Sequence, residues 1–112
     1  MEAARKVEPE FVQRRQTQRD LVDYKTALLR PGNLRRDVQL VDISPMGFHA
    51  RCGTDGFERG EAVSILLPLV GIVKARVMWS LKGCFGGQFL LPIDARAYLD
   101  CLARLREGST RD

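Results

Sequence analysis

Hydrophobic and polar residues alternate along much of this chain with a period of two, which is the pattern of half-buried strands. The alternation is clear in residues 20–30 (DLVDYKTALLR) and cleanest in residues 72–79. In the second stretch one side of the strand is predicted to carry the apolar side chains of Val73, Ala75, Val77 and Trp79. The pattern therefore predicts a chain built mainly of strands.

Clusters of turn-forming residues separate these strands. PGN at residues 31–33 and GTDGFERGE at residues 53–61 combine glycine, proline and short polar side chains that favour turns and loops. Between such breaks the sequence predicts six strands, at residues 20–30, 37–43, 47–52, 62–69, 72–79 and 84–93. Gly86 and Gly87 within the last strand predict a bulge or a sharp bend.

The period changes near the C-terminus and predicts a helix over residues 94–106. Apolar or sulfur-containing side chains recur there at helical spacing, at Tyr98, Cys101, Leu102 and Leu105. Asp94 is a suitable N-cap, and Gly108 stands where such a helix would end. Short strands joined by tight turns, followed by one helix, indicate an all-β fold with a C-terminal helix: a small antiparallel barrel or sandwich. The helix is expected to cover an open end or an edge.

The segment DISPMGF, residues 42–48, predicts a hairpin between the second and third strands. Serine, proline and glycine at the first, second and fourth positions of SPMG match the preferences of a type I turn. Asp42 and Ser44 are therefore expected at the tip of this hairpin or on its rim. On its own the segment is also explained by the turn itself, with Asp42 accepting backbone hydrogen bonds.

Composition and charge limit the classes of function. The chain of 112 residues is 45% hydrophobic and 29% charged, which fits one globular domain with one modest core. No apolar run is long enough to span a bilayer, and no leader peptide is evident at the start of the sequence. Three widely spaced cysteines, with no CxxC pair, argue against a disulfide framework or a zinc site and indicate a reducing, cytoplasmic location.

Positive charge is concentrated in the first third of the chain. Residues 1–36 contain nine lysines or arginines and five acidic residues, so the whole net charge of +4 falls there. A localised positive field suggests a compact anionic partner, although a solvated basic tail would give the same count.

The sequence lacks the usual signatures of catalysis. It contains one histidine, His49, in a predicted strand, and no short motif pairs it with a nucleophile. There is no GxSxG elbow, no phosphate-binding glycine loop and no cluster with metal-ligand spacing. We therefore expect no enzyme activity, no metal site and no bound cofactor, and we interpret His49 as a surface residue at the edge of the barrel.

Three arginines in QRRQTQR, residues 13–19, form a candidate anion site. Arg15 and Arg19 are four residues apart, a spacing that places both on one side of either a helix or an extended strand, and Arg14 is adjacent. Guanidinium groups bind phosphate with two parallel hydrogen bonds, stack on flat rings and match the O6 and N7 acceptors of guanine. Such a group of arginines favours a ligand with phosphates and purines, but it is more often a solvated charged segment.

The hairpin segment complements this arginine group. The Asp42 carboxylate can accept hydrogen bonds from the N–H edge of guanine, the Ser44 hydroxyl adds a small donor or acceptor, and Gly47 lets a flat ring approach the backbone. Together the two segments match both edges of a guanine nucleotide.

RRQTQR followed about two dozen residues later by DISPMG resembles the PilZ domain, whose signature is RxxxR and then [D/N]xSxxG. Arg15 and Arg19 match the first motif, and Asp42, Ser44 and Gly47 match the second. The resemblance extends over roughly residues 11–106. It implies a six-stranded antiparallel β-barrel of the PilZ type and a receptor for the second messenger cyclic di-GMP.

The resemblance also implies a role for each matched residue. Arg15 and Arg19 would grip guanine and phosphate, while Asp42, Ser44 and Gly47 would line the barrel side of the site. An additional arginine ahead of the motif, here Arg14, is similar to members that bind a stacked pair of ligand molecules.

The predicted organisation is a basic N-terminal arm over residues 1–19, a barrel over residues 20–106 that includes the helix, and a tail over residues 107–112. A separate protein partner is expected to receive the signal. Two alternatives remain: a PilZ-like protein-interaction module that binds no nucleotide, and a small barrel that binds RNA or DNA through its basic arm. Aromatic residues make up only 7% of the chain, which gives little support to stacking on a nucleic acid polymer.

Overall fold

The structure, a computed structural model, describes residues 18–53 and 56–108. Six strands are followed by one helix, and the elements span β1 Asp20–Arg30, β2 Leu34–Ile43, β3 Gly47–Arg51, β4 Ala62–Leu67, β5 Gly71–Leu81, β6 Cys84–Phe89 and α1 Ala95–Glu107. Residues 1–17 of the predicted arm, which include Arg14 and Arg15, lie outside the described residues.

The strands form a closed barrel in the order β1-β2-β3-β6-β5-β4, and all neighbouring pairs are antiparallel. The prediction of a six-stranded antiparallel barrel with a C-terminal helix is therefore confirmed. The closing junction between β1 and β4 is short, since only Leu28 pairs with Ile65 and Leu29 with Ser64. Beyond it the Thr26 hydroxyl donates a hydrogen bond of 2.7 Å to the carbonyl of Leu66.

Two strand boundaries differ from prediction by three or more residues. β2 begins at Leu34 because the preceding turn, Pro31–Asn33, is a single 3-10 turn that returns the chain to the sheet at once. That turn is tight because Gly32 adopts a positive φ of 81°. β6 ends at Phe89 instead of residue 93, since the chain then leaves the sheet and the Ile93 N–H donates to the carbonyl of Pro45. The other boundaries agree within two residues.

The core fills the barrel and continues under the helix. Phe48 and Phe85 are fully buried and meet edge to face, with ring centroids 5.7 Å apart. The helix buries Tyr98, Cys101 and Leu105 over the barrel end that contains the β2–β3 hairpin. Burial of such a large side chain contributes about 1.5–3 kcal/mol. Among the described residues, no helix has the length and apolar character needed to cross a bilayer.

The predicted capping of the helix is confirmed at both ends. The Asp94 carboxylate accepts hydrogen bonds from the backbone N–H groups of Arg96 and Ala97, which satisfies donors that a helix start leaves open. At the other end the Gly108 N–H donates to the carbonyl of Arg104 at 2.9 Å. These local contacts explain why the boundaries of the helix could be predicted from the sequence.

One orientation predicted for β5 is wrong. Ala75 and Val77 point into the core as expected, but Trp79 lies on the outer surface and is 41% exposed. Val77 pairs with Gly87 and Trp79 pairs with Gly86, so Met78 is an additional residue in β5 and forms a β-bulge. An additional residue reverses the alternation of a strand, because successive side chains point to opposite faces.

The two glycines of β6 lie opposite this bulge and clear space on opposite faces of the sheet. A Cβ atom on residue 86 would lie 2.1 Å from Nε1 of Trp79 on the outside, and one on residue 87 would lie 2.7 Å from the Phe48 ring in the core. The sequence correctly indicated a bulge at this position, but the additional residue belongs to β5 instead of β6.

Candidate functional site

The tip of the β2–β3 hairpin is a two-residue loop. Ser44 and Gly47 exchange backbone hydrogen bonds of 2.8 and 3.4 Å across Pro45 and Met46, neither of which has a positive φ. The Ser44 hydroxyl oxygen accepts from the N–H groups of Met46 and Gly47 at 3.1 and 3.2 Å. Ser44 is only 2% exposed, so its side chain stabilises the predicted turn from inside the protein.

Gly47 has a structural reason to be glycine. A Cβ atom at this position would lie 2.3 Å from the carbonyl oxygen of Gly87 in the neighbouring strand. β3 and β6 therefore approach closely where β3 begins. The role of Gly47 in admitting a flat ligand ring stays a prediction, since packing alone accounts for the residue.

Asp42 joins the two predicted motifs in space. Its Oδ1 accepts a hydrogen bond of 2.8 Å from Nη1 of Arg19, the last arginine of the first motif. The Asp42 side chain is 14% exposed and that of Arg19 is 48% exposed, so the ion pair lies at the surface and Arg19 is its more exposed partner. The structure brings Arg19 together with Asp42 23 residues later in the chain.

His49 is a neighbour of Asp42 that the sequence analysis did not include in the site. The two residues pair directly across β2 and β3, and His49 Nδ1 lies 3.2 Å from Asp42 Oδ2. This contact favours the tautomer with hydrogen on Nδ1. Nε2 of His49 is buried and has no hydrogen-bond partner among residues 18–53 and 56–108. A signal for this residue existed, because a two-residue loop at Pro45 and Met46 pairs position 42 with position 49.

Trp79 completes a row of side chains that crosses four strands. Asp42 pairs with His49, His49 with Gly86, and Gly86 with Trp79, all on the outer face of the barrel. Because Gly86 has no side chain, the indole lies over its backbone and its ring meets the imidazole of His49, with centroids 5.2 Å apart. This contact could not be predicted from the alternation of residues in β5, since it depends on the bulge in that strand.

Bulges on two other strands also adjoin this row. The β1–β2 register shifts between Leu21 and Tyr24, and the β2–β3 register shifts between Leu40 and Asp42. Bulges occur frequently beside functional sites, where they redirect a side chain. Here the β2 bulge lets Asp42 point outward although Leu40, two residues earlier, is fully buried.

A shallow pocket of about 200 Å³ lies beside this row, and its walls are formed by Arg19, Met46, Gly47, Met78, Trp79, Gly86, Gly87 and Gln88. A guanidinium group, an indole ring and glycine positions without side chains suit a flat aromatic ligand that carries negative charge. A larger depression of about 640 Å³ on the outer side of β1–β3 contains none of the predicted site residues. Among the described residues, no three histidine, cysteine, aspartate or glutamate side chains form a group that could hold a metal ion.

Comparison with known protein families gives a match to nearly the whole chain. The sequence model of the PilZ domain matches residues 13–108, a span that contains both arginine and hairpin motifs, the six strands and the helix. A search of curated proteins finds no match to this sequence.

Proposed function

The chain belongs to the PilZ domain family, and on this premise we propose that it is a cyclic di-GMP receptor that passes the signal to a separate protein partner. PilZ domains are binding and adaptor modules, and the family in general is one of cyclic di-GMP receptors. The proposed receptor would act without a bound metal or cofactor, with the cyclic dinucleotide as its only small ligand.

The observation that carries this proposal is the contact between Arg19 and Asp42. It brings one arginine of the first motif to the aspartate of the second motif, at the edge of a pocket that is open to solvent. The guanidinium can bind a phosphate or the O6 and N7 edge of guanine, and the carboxylate can bind the opposite edge.

The ion pair between these residues would have to open for both to contact a ligand. Surface ion pairs contribute about 0–1 kcal/mol, and Arg19 is half exposed, so the cost of opening is small. Charge-assisted hydrogen bonds to phosphate or guanine contribute about 1.5–3 kcal/mol each. The balance therefore favours exchange of the internal partner for the ligand.

Trp79 supplies a further contact surface. Its indole forms one side of the pocket and is 41% exposed. Stacking of a base on an aromatic side chain contributes about 1–3 kcal/mol in single-stranded nucleic acid complexes. A guanine stacked on Trp79 would lie between the indole and the arginine motif.

Signal transfer in this proposal depends on the segment that precedes Arg19. Arg14 and Arg15 would contact the ligand from that segment, while Asp42 holds it from the barrel on the hairpin that Ser44 and Gly47 shape. A ligand that contacts both would hold the segment against the barrel and so change the surface presented to a protein partner. Arg14 would permit a second, stacked molecule of cyclic di-GMP.

Calorimetric titration of the purified protein with cyclic di-GMP tests this proposal. We expect saturable binding with one or two ligands per chain, and binding weakened at least tenfold in Asp42→Asn, which cannot accept from both N–H donors of guanine. Asp37→Asn is the matched control, because Asp37 is 85% exposed on β2 at the opposite end of the strand. Absence of binding to the unaltered protein would refute the receptor function.

A second candidate function is a protein-interaction module that binds no nucleotide. It is favoured by the structural roles of the second motif, since the Ser44 hydroxyl holds the turn and Gly47 avoids contact with Gly87. These roles would preserve both residues in a barrel without a ligand. The same titration separates the candidates, because this one predicts no heat of binding.

A further inference from the structure

The outer side of β4, β5 and β6 carries an unusual combination of apolar and basic side chains. Residues 62–93 contain no aspartate or glutamate, and their charged residues are Lys74, Arg76 and Lys82. Eight of the eleven exposed large hydrophobic residues in the described part of the chain fall in this span: Leu66, Leu69, Ile72, Met78, Trp79, Leu81, Leu90 and Leu91. This side of the barrel therefore suits an occupant that is both acidic and apolar.

The centre of this side is a compact surface, which we call the β5 face: Leu66, Ile72, Lys74, Arg76 and Leu90. Leu66 and Ile72 pair directly across β4 and β5 and are 48% and 64% exposed. Lys74 and Arg76 follow at alternate positions of β5 and point outward. Leu90 adjoins them, because its N–H donates to the Lys74 carbonyl at 3.0 Å.

We propose that the β5 face is the docking surface for residues 7–12 of this chain, VEPEFV. This segment has the complementary chemistry: Glu8 and Glu10 are two positions apart, as are Lys74 and Arg76, and apolar Val7, Phe11 and Val12 flank them. Pro9 favours an extended conformation at Glu8. In an extended segment residues 8, 10 and 12 project to the same side, so both carboxylates can meet the two basic side chains of β5 and Val12 can meet the apolar ones.

Gln18, the first described residue, lies close enough to the β5 face for this docking. Arg19 and Gln88 line the same pocket, and Gln88 pairs directly with Arg76. Gln18 and Glu10 are eight positions apart, and such a length spans up to roughly 26 Å when extended. Neighbouring strands are only about 4.8 Å apart, so the segment can reach the β5 face from the pocket.

Two other occupants fit this surface less well. A second copy of the chain would bring two acid-free basic faces together, which is electrostatically unfavourable. A separate acidic protein has suitable chemistry but must bind from dilute solution. A tethered segment has an effective concentration in the millimolar range, which makes weak surface contacts sufficient.

Chymotrypsin cleavage after Phe11 tests the docking in the absence of cyclic di-GMP. Cleavage is monitored by mass spectrometry on the full chain, and each rate is divided by that of a synthetic peptide of residues 5–16 with the same substitutions. We expect Lys74→Glu with Arg76→Glu, or Glu8→Lys with Glu10→Lys, to accelerate cleavage about fivefold, since each removes two surface ion pairs. Combining all four substitutions exchanges the charges and should restore protection.

Matched controls separate docking from general charge and stability effects. Lys25→Glu with Arg51→Glu makes the same change of charge at exposed positions on β1 and β3 and should leave cleavage unchanged. Ile72→Ser should accelerate cleavage, whereas Leu99→Ser, at a 60% exposed position on the helix, should not.

Three results would overturn the proposal. The first is an unchanged normalised rate in the Lys74 and Arg76 variant. The second is equal acceleration of cleavage in the Lys25 and Arg51 control, or no recovery of protection in the protein with all four substitutions. The third is a dimer in sedimentation velocity that the Lys74 and Arg76 substitutions dissociate, which would assign the face to a second copy. Each result leaves the receptor proposal to its own titration, because no ligand is present.

Discussion

Nδ1 of His49 lies 3.2 Å from Oδ2 of Asp42, while Oδ1 of the same carboxylate accepts a hydrogen bond from Arg19. The carboxylate is thus held on two sides, by His49 on β3 and by Arg19 immediately before β1. If Arg19 leaves to contact a ligand, the histidine still orients the carboxylate. His49 is therefore a positioning residue in the proposed receptor, although it is absent from the recognised motifs.

His49→Ala should lower the affinity for cyclic di-GMP about fivefold, because one hydrogen bond that orients Asp42 contributes about 1 kcal/mol. His49→Asn is the matched variant, since its amide nitrogen can donate from nearly the position of Nδ1. It should retain most of the affinity. Calorimetric titration of both variants measures this, and an equal loss in the two would show that His49 acts through packing against Trp79 instead.

Arg19→Ala should lower the affinity for cyclic di-GMP by over a hundredfold, about 3 kcal/mol, because one guanidinium group makes two charge-assisted bonds to the ligand. Arg15→Ala should have a comparable effect. Arg35→Ala is the control, because Arg35 forms a more exposed ion pair with Asp37 at 3.5 Å, outside the pocket. Undiminished binding in both motif variants would remove these arginines from the site.

Gly47→Ala should destabilise the protein by about 1–3 kcal/mol, because its Cβ would lie 2.3 Å from the backbone oxygen of Gly87, which cannot easily move. Gly86→Ala should cost less, since its Cβ would meet the side chain of Trp79, which is free to rotate outward. It should instead shift the fluorescence of Trp79, the single tryptophan of the chain. Urea unfolding and emission spectra measure the two effects, and the reverse order of stability would contradict this account.

The Arg30–Glu61 ion pair should make stability depend on pH in the acidic range. Arg30 donates two hydrogen bonds to Glu61, of 2.6 and 2.9 Å, and its guanidinium lies 4.3 Å from the centre of the Phe57 ring. The guanidinium holds the pKa of Glu61 below its ordinary value, although burial acts in the opposite direction. A lowered pKa in the folded state means that the stabilisation is complete above the ordinary glutamate pKa of about 4.3 and is lost as pH falls through the lowered value.

Glu61→Gln should therefore cost about 1–3 kcal/mol of unfolding free energy at pH 7, and the difference from the unaltered protein should narrow below about pH 4. Urea unfolding at pH 7 and pH 3.5 measures this. Glu58→Gln is the control, because Glu58 is an exposed residue of the same loop. A difference that stays constant between the two pH values would show that the charge of Glu61 contributes nothing.

Much of the candidate site could be predicted in position because its second motif is local. Asp42, Ser44 and Gly47 lie within one hairpin, and the preferences of serine, proline and glycine specify that turn without help from the rest of the chain. The contact of Arg19 with this hairpin was expected from the resemblance and is present. Arg14 and Arg15 lie outside the described residues, so their roles stay predictions.

Local signals in the amino-acid order, namely the period of two, the turn residues and the helix caps, were enough to specify the strands, the helix and the β2–β3 hairpin. The closed barrel and its PilZ character came from the resemblance and were confirmed. The outward position of Trp79, its contact with His49 over Gly86 and the composition of the β5 face were decided by tertiary structure. The position and contact of Trp79 depend on the additional residue Met78, because a bulge reverses the local alternation of side chains, and on the pairing of β6 with β3 and β5. The β5 face depends on the pairing of β4 with β5 and on the return of Leu90 to Lys74.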